Sequence, residues 1–445
     1  MTTVTPRRPV TGVASRLRGA SQTTPGRYRL WSLGTVVVLV VALASATTSA
    51  SRMRSSTRRA EHDTGPVLVA TQQLVSSLAE ADAAASAAFL SGKDEDPEQR
   101  RLYEQALARA NQQVDEIAGL AGGDATVRTV LGDVSVQITR YAGLIEAARA
   151  SNKNGAADAN SYLVSAVKLA DTVVEGDVKA LGTRTQAAFS GDVHERDRGF
   201  LVAIAVLVIA LAVLGFGQFR MLQTSRRILN PPLVLATLLV LGTLAWLVLV
   251  NHQSGNDMDA ARTKGYDSIV LTAQLGTAGF GARAAETLAL ITGDSAQRTA
   301  ADADASTVAT SAVNNSTADL IRQGQGNGAP GGLLGQAASA ADSPRERAAV
   351  AEAAQRWGRY ESTVASLRAA PNAAAARAIA VGAASSDFNG FNFSVESVLG
   401  QNRDQFLAGL KSAADRATRL PAMVPLLLVA ALALSALGFQ LRIND

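Results

Sequence analysis

Residues 232–250 read PLVLATLLVLGTLAWLVLV, an uncharged and almost entirely apolar run that decides the fold class of this chain. Three further stretches share this character and contain no Asp, Glu, Lys or Arg: Trp31–Ala50, Gly199–Gln218 and Met423–Gln440. A helix of about 20 apolar residues crosses the roughly 30 Å hydrocarbon core of a bilayer. A buried helix of a soluble protein can be as apolar, but four such runs favour four transmembrane helices. We place them at 31–50, 199–218, 232–250 and 421–440.

The sequence between the apolar runs is typical of helices. The chain is rich in Ala, has only 12 Pro and no Cys, and contains no long stretch of alternating apolar and polar residues. Ala, Leu, Arg, Gln and Glu all favour helices, whereas alternation is the mark of a half-buried strand. We therefore predict an all-α, polytopic membrane protein with two antiparallel helical bundles outside the cytoplasm, at 51–198 and 251–420.

The Arg residues indicate the orientation of the spans. The 1–30 tail, the 219–231 loop and the 441–445 tail together hold ten Arg and one acid, although the net charge of the whole chain is only +4. Cytoplasmic loops of membrane proteins carry the excess of Lys and Arg. We therefore expect both termini and the 219–231 loop to be cytoplasmic, in a multi-pass protein of the plasma membrane. Four basic residues directly after the first span favour the opposite orientation: Arg52, Arg54, Arg58 and Arg59. That orientation, however, would place both basic tails and the basic 219–231 loop outside the cytoplasm.

The first apolar run could also be a signal peptide, because small residues at 46–50 offer a cleavage site. Its apolar run is longer than the usual 7–15 residues of a signal peptide's apolar region, so we expect it to remain as a span.

The chain reads as two copies of one unit. When the first span is aligned with the third, Leu68–Gly92 falls on Ile269–Gly293 with nine identities and no gap. Further along, a larger offset places Arg140-Tyr141 on Arg359-Tyr360 and the second span on the fourth. A Gly-rich insertion near Gly324–Gly335 accounts for the change of offset. We predict an internal duplication of span, bundle and span; two unrelated segments of similar composition are the alternative.

Gly and Pro clusters divide each copy into four helices. The predicted helices are 52–91, 97–119, 125–150 and 157–198 in the first copy, and 252–292, 294–322, 344–369 and 373–420 in the second. Apolar residues spaced by three and four, such as Leu131, Val134 and Ile138, predict buried helix seams. Because the seams hold mainly Leu, Val, Ile and Ala, we expect filled cores without a small-molecule pocket.

No group of residues points to catalysis, and we expect no enzyme, no cofactor and no metal site. Two groups are candidates for binding. In the predicted cytoplasmic loop, Arg220, Arg226 and Arg227 are candidate contacts for a cytoplasmic partner. In the second bundle, Phe388, Phe391 and Phe393 form the densest aromatic cluster, which is either bundle core or an exposed recognition patch.

The segments Ala88–Pro97 and Ala289–Ser295 resemble the first-helix turn of four-helix-bundle sensor domains in bacterial chemoreceptors and kinases. Over its full length, the chain resembles the actinobacterial GlnX family of four-span membrane proteins, in its arrangement of spans, its two Ala-rich segments and the lack of an output domain. That resemblance implies an amino-acid-sensing relay, from an extracytoplasmic solute-binding lipoprotein to a soluble cytoplasmic serine/threonine kinase. The resemblance does not identify any binding residue in this sequence.

Three functions remain open at this stage. The first is a transmembrane signal-relay sensor, in which a protein partner and not a free metabolite delivers the signal. The second is a structural or scaffolding protein of the cell envelope, and the third is an accessory subunit of a transporter. The uncharged spans argue against an ion pathway. We expect no nucleic-acid partner, and a homodimer is one option for assembly.

Overall fold

The computed structural model describes residues 24–122, 124–156, 158–225, 231–293, 295–308 and 332–444. Every regular element in these residues is helical, and none of them forms a strand. This confirms the all-α prediction. Four helices are long and apolar enough to cross a membrane: Trp31–Ser91, Ala159–Arg220, Pro231–Thr292 and Ala373–Gln440.

The described residues of the first half form six α-helices. They are α1 (Thr24–Arg59), α2 (Gly65–Ala88), α3 (Pro97–Leu120), α4 (Ala125–Lys153), α5 (Ala159–Val173) and α6 (Lys179–Ser225). Short π-helical turns at Ala60–Thr64 and Val174–Val178 join α1 to α2 and α5 to α6, and a 3₁₀ turn at Phe89–Ser91 ends α2.

The described residues of the second half form eight α-helices. Its helices are α7 (Pro231–Ala260), α8 (Asp267–Thr292), α9 (Ser295–Val308), α10 (Gly332–Ala340), α11 (Pro344–Arg368), α12 (Ala373–Ile379), α13 (Ser385–Ala417) and α14 (Leu420–Asn444). Further π-helical turns lie at Ala261–Tyr266 and Ala380–Ala384. Helix α10 falls partly in the predicted Gly-rich loop, and the predicted helix 294–322 is helical at Ser295–Val308, while 309–322 lies outside the described residues.

Local capping explains where several helices begin. Asp124 accepts hydrogen bonds from the backbone N–H groups of Thr126 and Val127, at 2.9 and 3.3 Å, and so caps α4. Ser343 and Asn372 cap α11 and α12 in the same way. These side chains satisfy N–H groups that have no partner within the helix.

The described chain divides into two compact units. The span unit holds the described residues up to Arg58, Asp192–Asn256, and those from Ser412 onward. Its core is a seam of small and branched residues spaced by three or four, such as Leu39, Ala42 and Ala46 on α1. On α6, the buried Arg196 donates hydrogen bonds to the backbone and side-chain oxygens of Asn251, at 2.9 and 3.0 Å.

The helical unit holds Arg59–Gly191, here the first segment, and Asp257–Lys411, here the second segment. The two segments pack together through α2 and α8. Leu90 lies in one apolar cluster with Leu290 and Ile291, and Ala83 in another with Leu275, so the two helices run side by side in the same direction. Aromatic residues fill the core of the second segment, where Trp357 packs on Tyr360 and Phe391 with ring centroids 5.2 and 4.9 Å apart.

One end of the helical unit is built around Phe406 of α13, which is fully buried. Its ring centroid lies 6.1 Å from that of Phe189 on α6 and 5.8 Å from that of Tyr266. A Cβ at Gly265, in the π-helical turn before α8, would lie 2.8 Å from Phe406 Cα, so only glycine allows this approach. The side chain of Phe406 also borders Gly65 at the start of α2. Four long helices of the chain therefore meet at this residue.

Candidate functional site

A half-open cavity of about 470 Å³ lies in the helical unit, where α2 of the first segment runs beside α8 of the second. Helices α5, α9 and α10 complete its wall. Its lining is Gln72, Val75, Leu78, Ala79, Asp82, Ala170, Asp171, Ala273, Gln274, Thr277, Ala278, Phe280, Gly281, Asp304, Thr307 and Leu333. This volume is in the range of small-molecule pockets. The prediction of filled cores concerned the seams within each segment, whereas this cavity lies between the two segments.

Small side chains keep the cavity open. Ala79 on α2 and Ala278 on α8 are half-buried at the border between the two helices, and both pack against the apolar cluster of the second segment. Residues this small let helix backbones approach closely but leave space beside them. Larger apolar groups, including Leu78 and Phe280, cover the rest of the wall. Much of the cavity wall is therefore apolar, with a few polar side chains among the apolar ones.

Asp82 is the most buried acid of the cavity. Only 8% of its surface is exposed, and its Oδ1 atom has no hydrogen-bond partner. Burial raises the pKa of Asp82 to about 7, and the nearby negative charge of Asp171 contributes to the rise, against a smaller lowering by the Tyr141 hydroxyl. A buried carboxylate without a full set of partners is unfavourable, so this group favours the uptake of a proton or a cation.

Asp304 approaches the same cavity from α9. Its carboxylate lies against Gly281 so closely that a Cβ there would be 2.8 Å from Oδ2. Burial raises the pKa of Asp304, and the charge of Asp171 adds to the effect. Asp171 therefore acts on acids of two other helices across the cavity, while no Lys, Arg or His is among the described residues that line it.

The neutral polar lining can orient a ligand. Gln72 and Gln274 bring amide groups from α2 and α8. The Thr277 and Thr307 hydroxyls donate to backbone oxygens of their own helices at 2.9 Å, which leaves their oxygen lone pairs as acceptors. The cavity thus combines acceptors with apolar walls, the combination that small-molecule sites use for orientation.

The residue that aligns with Asp82 in the second segment carries the opposite charge. In the ungapped alignment of Leu68–Gly92 with Ile269–Gly293, Asp82 corresponds to Arg283 on α8, which is also buried. Arg283 donates a hydrogen bond of 2.8 Å to Ser385 Oγ, and its guanidinium carbon lies 5.4 Å from the ring centroid of Phe388. The buried charge of the second segment therefore has partners from its own segment, and the Tyr141 hydroxyl is the corresponding neighbour of Asp82 in the first segment.

A second, smaller cavity of about 220 Å³ lies at the end of the first segment, next to Phe89, Lys93 and Asn152. Three of its charged residues, Glu95, Glu146 and Arg149, are paired with one another. Arg149 Nε donates to both carboxylate oxygens of Glu95, at 2.8 and 2.7 Å, and its Nη1 donates to Glu146 at 2.6 Å. This network joins α4 to the loop after α2, so its evident role is to fasten the end of the bundle.

The aromatic residues selected from the sequence separate into two groups. Phe388 and Phe391 are buried in the core of the second segment, with Trp357 and Tyr360 as neighbours. Phe393 is 72% exposed, on the opposite side of α13. Phe388 and Phe391 are therefore core residues, and of the three only Phe393 is available at the surface.

The basic residues selected from the sequence are described only in part. Arg220 is exposed near the end of α6, with its guanidinium carbon 5.5 Å from the ring centroid of Phe216. Arg226 and Arg227 lie outside the described residues.

Sequence reasoning missed Asp82, although the helix pattern held a signal. Leu74, Leu78, Ala81, Ala85 and Ala88 mark the buried side of α2 at helical spacing. Asp82 follows Leu78 by four residues and therefore falls on that side. An acid at a buried seam position is uncommon unless it has a partner or a function.

Comparison with known proteins adds one match. No curated protein matches the chain. Residues 56–194, which include α2 to α5 and Asp82, match a family model described as an actinobacterial sensor domain. This stretch is thus similar to actinobacterial sensor domains and, with the four apolar helices, supports a membrane sensor.

Proposed function

We propose that this protein is a transmembrane signal-relay sensor, and not an enzyme. The main support for this proposal is that one helix continues from an apolar run into the segment that is similar to sensor domains. Helical residues run without a break from Trp31 to Ser91, that is, from the first apolar run into the stretch that matches the sensor domain. A continuous helix is stiff, so a small displacement at one end reaches the other. Such shifts between packed helices are a known form of signalling transition.

The proposed orientation places the helical unit outside the cytoplasm. Both termini and the 219–231 loop would be cytoplasmic, and the protein would span the plasma membrane. The Arg-rich tail and loop support this, since basic residues are retained on the cytoplasmic side. Arg220, Arg226 and Arg227 would then be available to a cytoplasmic partner.

The resemblance to the GlnX family suggests the two partners. An extracytoplasmic lipoprotein that binds amino acids would dock on the helical unit, and a soluble serine/threonine kinase would respond on the cytoplasmic side. A relay of this kind requires that the docked lipoprotein favour one helix arrangement over another, because equal affinity for both shifts nothing.

We further propose that the two segments arose by duplication, and three structural matches support this. The first is that π-helical turns begin at Ala60 and at Ala261, which are equivalent positions when the first span is aligned with the third. The second is that the equivalent residues Tyr141 and Tyr360 are both buried aromatic neighbours of the matched charges Asp82 and Arg283. The later π-helical turns, at Val174–Val178 and Ala380–Ala384, do not fall at equivalent positions, so the fourth helices have diverged.

The third match is an ion-pairing arginine on α4 of the first segment and on α11 of the second. Arg149 pairs with Glu95, as described above. Arg368, the equivalent residue of the second segment, donates to Glu286 Oε2 at 2.8 Å and to Asp302 Oδ1 at 2.6 Å. Each arginine therefore fastens its helix to acids from earlier in its own segment.

The contacts around Phe406 provide a mechanical element for the relay. Helices α2 and α6 and the π-helical turn before α8 all pack against Phe406, the first through Gly65 and the last through Gly265 and Tyr266. Tightly packed contacts of this kind have discrete arrangements and do not deform gradually. A change in the α2–α8 pair would therefore shift α13 as well.

The test is a reconstituted relay. Full-length protein in lipid nanodiscs is mixed with the labelled kinase, with and without the lipoprotein and its amino acid, and kinase binding is measured. A relay predicts kinase binding that changes several-fold when the loaded lipoprotein is added. Constant binding of both partners, independent of the amino acid, would support a scaffold instead. Amino-acid uptake into proteoliposomes would support a transporter subunit.

A further inference from the structure

We propose that three exposed arginines of the span unit, Arg52, Arg198 and Arg419, form a collar that binds the headgroups of anionic phospholipids. The collar lies at the end of the spans from which the chain continues into the helical unit. The inference requires only that the apolar runs cross a membrane, and it holds for either orientation of the chain.

Arg52 on α1 and Arg198 on α6 lie at the same depth. Gly199 packs against Met53, because a Cβ at Gly199 would lie 3.3 Å from Met53 Cγ. These two contacting residues directly follow Arg198 and Arg52 in the sequence. Arg52 comes two residues after the first apolar run, and Arg198 immediately precedes the second. At about 1.5 Å per residue, both backbones lie within about 3 Å of the hydrocarbon boundary, in the headgroup layer.

Arg419 lies near this level as well, in the turn between α13 and α14. Three residues before it, Arg416 Nη1 donates a hydrogen bond of 2.8 Å to Oε1 of Gln253 on α7. Gln253 follows the third apolar run by three residues, so Arg416 is close to the boundary. Arg419 is nearer still to its own span. Three different helix ends therefore each bring one exposed guanidinium to the headgroup layer.

This end of the span unit carries more positive than negative charge. Its residues contain seven Arg, four acids and no Lys, in four stretches: 51–58, 192–198, 251–256 and 412–419. The buried Arg196 lies 3.9 Å from Asp197, which uses one of those acids. None of the three collar arginines forms an ion pair with an acid in the described part of the chain. Their charge is therefore available to a partner outside the chain.

The chemistry of the guanidinium group selects phosphate. Its planar fork of N–H donors matches two phosphate oxygens at once, and its long stem can lie along apolar surface while the charge reaches the headgroups. Zwitterionic lipids balance their phosphate with a cation of their own, whereas anionic lipids do not. A basic residue near an anionic surface favours binding by about fivefold. An acidic protein partner would have to displace lipid to reach the same depth.

A tryptophan beside the collar provides a local readout. Trp246 is half-buried on α7, four residues before the end of the third apolar run. Trp31 lies at the start of the first run, and Trp357 is fully buried in the helical unit. The chain has three Trp, so Trp31→Phe leaves Trp246 as the tryptophan that acyl chains can approach.

The test uses full-length Trp31→Phe protein in phosphatidylcholine nanodiscs. A minor fraction of the lipid is either phosphatidylglycerol or phosphatidylcholine, brominated near the carbonyl end of the acyl chains, since bromine quenches tryptophan fluorescence on contact. Brominated phosphatidylglycerol should quench Trp246 at least about twofold more than brominated phosphatidylcholine. Changing all three collar arginines to Gln should make the two lipids quench equally, whereas changing them to Lys should preserve most of the difference.

The matched control removes three exposed charges from the helical unit: Arg140→Gln, Arg359→Gln and Arg377→Gln. It should keep the preference for phosphatidylglycerol. Unchanged quenching by brominated phosphatidylcholine shows that the collar variant is folded. Arg52→Gln alone should already lower the preference, which gives a milder variant if the triple one does not reconstitute.

Three results would overturn the proposal. The first is equal quenching of the unaltered collar by both lipids, and the second is a collar variant that retains the full preference. The third is a preference that disappears when about 10 mM inorganic phosphate is added at constant ionic strength, because the collar would then be a site for free phosphate. The relay is tested separately, by the kinase-binding assay.

Discussion

At the scale of single residues, Asp82 is the side chain with the clearest chemical consequence. The folded protein holds its carboxyl in a buried site with an unsatisfied oxygen, whereas an unfolded chain would expose it to water. Its pKa is about 7 when folded and 3.8 as an ordinary aspartate. The folded state therefore binds a proton more tightly, and stability decreases as the pH rises from about 4 to about 7.

A prediction for Asp82 follows from this loss of stability with rising pH. Each pKa unit is worth about 1.4 kcal/mol, so ionisation of Asp82 costs the ligand-free fold at most about 4 kcal/mol above pH 7. Asp82→Asn keeps the shape but cannot ionise, and it should raise the melting temperature at pH 8. The gain should shrink at pH 5 and vanish near pH 4. Differential scanning fluorimetry of the nanodisc-embedded protein measures this.

Asp133 is an exposed acid on α4, so Asp133→Asn is the control and should show no such pH-dependent gain. A melting temperature of Asp82→Asn that is equal to or below that of the unaltered protein at pH 8 would contradict the account of Asp82.

Gly265 allows a second prediction at this scale. A Cβ at this position would lie 2.8 Å from both Cα and Cβ of Phe406, and backbone atoms cannot move aside as a side chain can. Gly265→Ala should therefore destabilise the protein by about 1–3 kcal/mol, the usual cost of overpacking. Chemical denaturation followed by tryptophan fluorescence provides the measurement.

Gly143→Ala is the comparison for this substitution. Gly143 lies within α4, is exposed, and has open space where the Cβ of an alanine would lie. Alanine is the better helix former, so this change should stabilise the protein by up to about 1 kcal/mol. Equal effects of the two substitutions would show that the approach of Phe406 is not restrictive.

At the scale of secondary-structure elements, the ion pairs of α11 fasten that helix to α8 and α9. Arg368 bonds Glu286, which is buried, and Asp302, which is exposed. Arg368→Ala would leave the Glu286 carboxylate buried without its main partner. Breaking a buried pair costs about 3–5 kcal/mol, and because Arg368 itself is partly exposed we expect about 2–3 kcal/mol.

Arg359→Ala is the control for Arg368, because Arg359 is an exposed residue of the same helix. It should change stability by less than about 0.5 kcal/mol. Equilibrium denaturation measures the free energy of unfolding of both variants. A similar small loss of stability in both would contradict the proposed role of the Arg368 ion pairs in holding α11 to α8 and α9.

Sequence patterns predicted most helices because their end signals are local. The predicted 97–119 and 344–369 correspond to Pro97–Leu120 and Pro344–Arg368, where an N-cap residue and a proline mark each start. The π-helical turns were not predicted. The turn at Ala261–Tyr266 adapts α8 to Phe406 of α13, and this contact joins residues from distant parts of the chain. Helix α10 was missed because its glycines indicated a loop.

At the scale of the whole molecule, the cavity could not be predicted from local sequence patterns. Each helix seam was predicted within its own bundle, and residues such as Leu131, Val134 and Ile138 are indeed buried there. The cavity depends instead on how α2 packs beside α8 and on which side of α9 Asp304 lies. Such information is held in contacts between distant segments and has no local sequence pattern.

Topology provides the whole-molecule prediction. Because the chain has no Cys, single cysteines can be introduced without background. Cysteine at position 226 should resist a membrane-impermeant maleimide in intact cells and react after permeabilisation. Cysteine at the exposed position Asn111 should react in intact cells. The reverse pattern would invert the orientation and refute an extracytoplasmic helical unit.

The narrow seam of the span unit determines how related sequences can diverge. Only about a third of each apolar window is buried, along a line that includes Ala42, Ala46, Ala210 and Ala236. Outward residues such as Leu33 and Leu238 must only remain apolar, so Leu, Val and Ile can replace one another there over evolutionary time. Larger residues at the buried alanines would separate the helices. Percentage identity should therefore decay quickly in the spans, while the register of small residues persists as the trace of common ancestry.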